Sequence, residues 1–223
     1  YSNVITLSQM WGSEIWHFPM ECLVGLSSVN IDNSIIHISK KTPYCMQWCE
    51  LIGLKDEQII DGNIYAEKVT LPIMAKCGNP SYEQIHWLKK RVSNVIDKST
   101  ERNVMILVKR TKSRTISNFD DLHTFCLVYA ELHNLKLYIH DDSNLPCLND
   151  QLQIFSQAKV IIANHGAGCL NIIACKKHTL FIEFSLHDIN VCYMRLANLL
   201  ELDYIGMEYN GNVNLDKLRD KLF

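Results

Sequence analysis

The sequence predicts an α/β protein with two Rossmann-like lobes, each built on a parallel sheet. Short apolar runs alternate with helix-period stretches from end to end, the pattern of strand–helix–strand units. At 223 residues the chain is long enough for two lobes of about 100 residues each. Between them the stretch KCGNPS interrupts the alternation with Gly78 and Pro80, which marks a boundary.

Residues 1–78 form the expected N-terminal lobe. It opens with strand VITLS, continues with a helix from His17 to Val29, and returns through strand SIIHIS. A second helix starts at Pro43, whose fixed backbone angle suits a first turn, and stops at Gly53. EQIID and AEKVTLPI read as two further strands. Residues 79–100 are expected to bridge the lobes. Ile85, Leu88, Val92 and Ile96 recur at helical spacing from Tyr82 onward, leaving Lys89, Lys90 and Arg91 to solvent, and STERN turns into the next lobe.

Residues 101–223 form the more regular C-terminal lobe. Strands NVMILVKR, KLYIHD, KVIIANH, TLFIEF and DYIGMEY alternate with helices at Phe119–His133, Asp150–Ala158, Ala167–Cys175, Ile189–Leu200 and Leu215–Leu222. Right-handed crossovers place these strands in one doubly wound parallel sheet.

Composition limits the function classes. A formal charge of −2 argues against a nucleic-acid binder, so any anion site must be local. No apolar run approaches the roughly 20 residues of a membrane span. The chain begins at Tyr1 without a basic and apolar leader, and is expected to be a piece of a longer protein. The nine cysteines lie mostly in apolar segments, and no asparagine stands in an N-x-Ser/Thr sequon, because Asn79 precedes a proline. Both features point to a reducing, cytoplasmic setting. Cys45 and Cys49 lie a helical turn apart without a second ligand pair, so no zinc site is expected there.

Ligands of a doubly wound sheet bind beyond the carboxyl ends of its strands. NHGAG falls at such an end, where Gly166 and Gly168 let the backbone come close to a ligand and first-turn amides can face an anion. His165 can hydrogen-bond a phosphate or sugar oxygen. The same residues also fit an ordinary strand-to-helix turn capped by Asn164 or a glycine. Past another strand end, ILVKRTKSRTISN carries Lys109, Arg110, Lys112 and Arg114, either a solvated loop or a phosphate clamp. Glu183 ends the next strand, where it can hold ribose hydroxyls, stand in solvent or pair with an arginine. His17 and Glu21, four apart, share one helical face as a local pair or an acid–base unit.

Taken together, these segments resemble glycosyltransferase family 61, which includes plant xylosyl- and arabinosyltransferases and animal O-linked N-acetylglucosaminyltransferases. The resemblance rests on IIANHGAGCLNII, on LVKRTKSRTISN with Arg110, Arg114 and Asn118, on WHFPMECLVGL, and on FIEF followed by YMRLANLLELDY. It implies a GT-B arrangement, with the N-terminal lobe on the acceptor side and the C-terminal lobe holding the donor. It further implies inverting, metal-independent transfer from a UDP-sugar (xylose, N-acetylglucosamine, arabinose or rhamnose) to a glycan or glycoprotein hydroxyl.

On this reading Arg110 and Arg114 face the diphosphate together with the amides of Gly166, Ala167 and Gly168. His165 orients phosphate or sugar, Asn118 and Asn171 support or contact the donor, and Glu183 holds the ribose. His17 or Glu21 is the general base. No cofactor and no metal are required; HDDSN, the nearest approach to an acidic metal motif, reads as a strand-to-loop turn. A non-catalytic nucleotide-sugar-binding module is the alternative, and a lumenal catalytic domain the alternative to a cytoplasmic one. A dehydrogenase or methyltransferase is disfavoured, since no G-x-G-x-x-G follows any strand.

Overall fold

The alternation of apolar runs and helices resolves into two parallel sheets in a computed structural model that describes residues 1–185 and 190–223. Tyr1–Val95 and Ile96–Phe223 are separate compact units, so each lobe has its own core.

In the first unit, strands β1 (Asn3–Thr6), β2 (Ile35–His37), β3 (Ile59–Ile60) and β4 (Lys68–Thr70) pair in the order β3-β2-β1-β4, all parallel. The expected long strand AEKVTLPI shrinks to the three residues of β4. Pro72 has no N–H for the ladder, and Val69, Leu71 and Ile73 are exposed along this edge.

The expected helix His17–Val29 also differs. Phe18–Cys22 forms a wide π-type turn, in which the Leu23 N–H reaches back five residues to the Phe18 carbonyl, and tight 3₁₀ turns follow over Leu23–Ser28. Pro19 contributes no N–H to a regular ladder, and this one-turn widening shifts the register of the side chains around Glu21.

Helix α1 (Pro43–Leu51) starts as its sequence dictates. The Thr42 hydroxyl accepts the Cys45 N–H at 3.1 Å, Pro43 occupies the first turn, and Gly53 follows the end at φ 90°. Helix α2 (Tyr82–Val95), expected as a bridge, belongs to the first unit and buries Ile85, Leu88 and Val92.

In the second unit, β5 (Val104–Lys109), β6 (Lys136–Asp141), β7 (Ala158–Asn164), β8 (Leu180–Ser185) and β9 (Asp203–Glu208) pair in the order β6-β5-β7-β8-β9, again all parallel. This is the doubly wound order that the sequence predicts, with its direction of winding reversing between β5 and β7. Met105, Leu107, Val160, Ile162, Ile182 and Phe184 point to one face, where α3 (Phe119–Leu132) and α6 (Leu215–Leu222) cover them through Leu122, Cys126 and Leu218.

The alternate residues face α4 (Leu148–Ser156), α5 (Cys192–Leu199) and the segment Ala167–Ala174. That segment is a run of 3₁₀ turns rather than the expected α-helix. Its residues from Cys169 to Ala174 are buried, and the β-branched pair Ile172 and Ile173 adds little helical preference. Helix α5 begins at Cys192, and Ile189, where it was expected to start, lies outside the described residues. None of the described helices is long and apolar enough to cross a membrane.

Two polar residues in this unit have structural roles. Asn118, expected among the donor ligands, instead clips two segments together. Its amide donates to the Val213 carbonyl, and its oxygen accepts the Val213 N–H, both at 2.9 Å. His140, buried at the end of β6, has no partner for Nδ1, and burial pushes its pKa down to about 4.

Replacing Asn118 with Ala should remove about 1–3 kcal/mol of stability in urea denaturation. His140 is neutral when folded but takes a proton near pH 6.5 when unfolded. Stability should therefore fall as pH drops from about 6.5 to about 4, by on the order of 3 kcal/mol, and His140→Leu should flatten that part of a urea-melt series.

Candidate active site

The carboxyl ends of β5 and β7 are adjacent at the reversal point of the second sheet, where such folds bind ligands. Arg110 follows β5 directly. Its Nη1 donates to the His165 carbonyl at 3.2 Å, and its Nη2 to the Ser113 hydroxyl at 2.9 Å, while the buried Nε has no partner. Arg114 Nη1 donates to the same His165 carbonyl, also at 3.2 Å. Two guanidinium groups thus share one neutral oxygen, and neither pairs with a carboxylate among the described residues. The other cations of this loop lie apart from them. Lys109 forms an ion pair with Asp141 at 3.1 Å, and Lys112 stands in solvent.

Backbone geometry fixes this pair. Arg114 adopts φ 52°, the left-handed region that a branched-free side chain enters only at a cost. Its carbonyl accepts hydrogen bonds from the Asn164 amide and, at 3.3 Å, from the Tyr209 hydroxyl. Gly166 has an extended backbone, so its lack of a side chain answers to space and not to dihedral freedom. A Cβ there would lie 1.4 Å from Arg110 Nη1. Gly166 therefore leaves room for the arginine, and Gly168 packs against Val108 and His140. Ala167 opens the 3₁₀ turns that follow, half-buried.

His165 stands beside the clamp with its ring held from behind. Its Nδ1 lies 2.5 Å from Glu183 Oε1, its N–H donates to the Phe184 carbonyl at 2.7 Å, and the Tyr193 ring meets it edge-on at 5.0 Å. Nε2 has no hydrogen-bond partner among the described residues. Glu183 is therefore not the ribose ligand read from the sequence. It is 1% exposed, and the Tyr204 hydroxyl donates to its second oxygen at 2.8 Å, so both oxygens are engaged inside the protein.

Sequence reasoning assigned no role to Tyr204. The one local cue is Gly206, which stands opposite Glu183 in the register of β8 and β9. A Cβ on Gly206 would lie 3.2 Å from the Tyr204 hydroxyl, so this bare position admits the phenol. Burial and the Glu183 charge raise the Tyr204 pKa, keeping the hydroxyl a donor.

Asn171 is buried, with its amide 3.0 Å from Gln151 Oε1 and 3.5 Å from His140 Nε2, and so supports the turn from within. Asn164, read from the sequence only as a possible cap, is the residue that ties β7 to the Arg114 backbone, and its Oδ1 is buried without a partner. HDDSN is a closed turn as expected. Asp141 Oδ1 accepts from the Ser143 N–H and hydroxyl, which with Lys109 hold its pKa at about 2, and Asp142 accepts from Thr111.

In the first unit the wide turn brings His17 Nδ1 to 2.8 Å from Glu21 Oε2. Glu21 is buried, and its Oε1 accepts the Trp16 indole N–H at 3.0 Å and the Gly78 N–H at 2.9 Å. That last bond anchors the turn at Lys76–Asn79, which sets Cys77 beside the pair. Sequence spacing could place His17 next to Glu21 but could not bring in Cys77.

No curated protein matches the chain. Among solved structures it is similar to two mutants of a flavo di-iron protein from Thermotoga maritima, each at 12% identity and a TM-score of 0.40. The matches cover 69% of this chain and 41% of theirs, so the chain spans about two-fifths of the length of those proteins. The glycosyltransferase 61 family model matches residues 15–182, a stretch that holds the His17–Glu21 pair, the two arginines and the HGAG turn, and the chain belongs to that family.

Proposed function

We propose that the chain transfers a sugar from a nucleotide-diphosphate sugar, UDP-linked, to a hydroxyl of a glycan or glycoprotein, in a GT-B arrangement. The observation that carries this reading is the Arg110–Arg114 pair converging on the His165 carbonyl without a counter-charge. Two like charges held together at a sheet's reversal point are stabilised when an anion enters, and a diphosphate supplies that charge. Charged forks of this kind stabilise a leaving diphosphate in place of a divalent ion, which supports a metal-independent reaction.

The reaction is a single displacement. The acceptor oxygen attacks the anomeric carbon, the bond from that carbon to the β-phosphate oxygen breaks, and UDP leaves into the arginine clamp with inversion at the sugar. The acceptor's proton passes to His17, whose neutral imidazole offers one basic nitrogen to receive it. Glu21, fixed by Trp16 and Gly78, orients the ring at Nδ1. His165, set by Glu183 and Tyr204, presents Nε2 to a phosphate or sugar oxygen.

Titration calorimetry with UDP and a hydrolysis screen over UDP-sugars test this. Arg114→Ala should slow transfer by about 10²–10³-fold, or about 3–4 kcal/mol, and weaken UDP binding. Gly166→Ala should reproduce the Arg110→Ala defect, because the added methyl group occupies the position of Nη1. Unchanged UDP affinity in these variants would remove the clamp from the site. His17→Gln should abolish transfer with UDP binding intact; surviving activity would place the base elsewhere, and wild-type UDP binding without transfer or hydrolysis would favour the non-catalytic module.

A further inference from the structure

His17, Glu21 and Cys77 come together from two distant stretches of the first unit, and each offers a ligand atom within 4.8 Å of the others. They supply one nitrogen, one carboxylate oxygen and one sulfur, a set suited to a borderline-soft divalent ion and poorly suited to magnesium or calcium. The surroundings are built for coordination. Glu21 is buried and braced by the Trp16 indole and the Gly78 N–H, both of which bind the oxygen that does not face His17.

Cys77 is positioned by the same turn, whose Gly78 adopts φ 65° and whose Asn79 N–H closes onto Lys76. Cys77 is exposed and His17 partly so, which leaves an entry path and an open coordination position. A carboxylate and a thiolate would also neutralise a doubly charged cation.

We propose that His17, Glu21 and Cys77 form a zinc site. A neutral imidazole has a single basic lone pair, and an ion bound there leaves none to accept a proton. Zinc at this position therefore switches transfer off, a consequence that rests on the reading of His17 as base. On the metal-independent reading proposed above, such an ion inhibits the reaction and does not assist it.

Cobalt(II) replaces zinc with a visible signature, so the whole chain is titrated with cobalt and followed by absorbance. A sulfur-to-cobalt charge-transfer band should saturate at one equivalent, bleach on adding zinc, vanish in Cys77→Ser and persist in Cys147→Ser, the control at the other exposed cysteine. His17→Gln should weaken zinc binding by at least about tenfold. Absence of the band, or a band that survives Cys77→Ser, would overturn the site; because Cys77 is exposed, that variant retains the fold. In a transfer assay, one equivalent of zinc should stop wild type, EDTA should restore it, and Cys77→Ser should be insensitive. A cobalt band together with undiminished transfer in zinc would keep the metal site and overturn its role as a block on His17.

Discussion

Two guanidinium groups on one carbonyl oxygen repel each other, and the second unit is arranged to hold them there regardless. Arg114 is kept in a left-handed conformation by two hydrogen bonds to its carbonyl, from Asn164 at the end of β7 and from Tyr209 beyond β9. Arg110 lies in a space that exists only because residue 166 has no side chain. Each device costs stability locally, and the buried apolar residues of the five-stranded sheet and its helices offset the cost. The repulsion held there is what the proposed diphosphate would relieve, so on that reading the strength of the site and its strain have the same origin.

The same economy governs His165. Its carbonyl serves the arginines, its amide joins β8, and its ring is aimed by a carboxylate buried in the sheet. Every group of this residue except Nε2 is committed to holding geometry. The residue therefore couples the position of the cations to the position of the imidazole, and a shift in one displaces the other. The first unit repeats the scheme with a different carboxylate, Glu21, whose second oxygen is likewise committed to the protein.

What could be read from the sequence was what depends on nearby residues. Period-two and helical spacing place the five strands of the second sheet, and strand ends place Arg110, Arg114 and His165 on one rim, because a parallel doubly wound topology brings those ends together. His17 and Glu21 were legible as neighbours for the same local reason. The misreadings involve long-range packing. Glu183 has the register of a rim residue but faces inward, toward the His165 ring and the Tyr204 phenol. Asn118 has the chemistry of a ligand but spends it on Val213, and Cys77 joins Glu21 only through the turn that Gly78 closes. The helical segment expected after HGAG is present in position, as buried 3₁₀ turns and not as an α-helix.

Tyr204 has a consequence beyond the residue it touches. Its phenol keeps its proton across the pH range in which proteins ordinarily work, since burial and an adjacent carboxylate both oppose ionisation. The brace behind the imidazole thus contains a donor that does not titrate. Across that range this phenolic support stays in place, holding Glu183 and, through it, the aim of the ring.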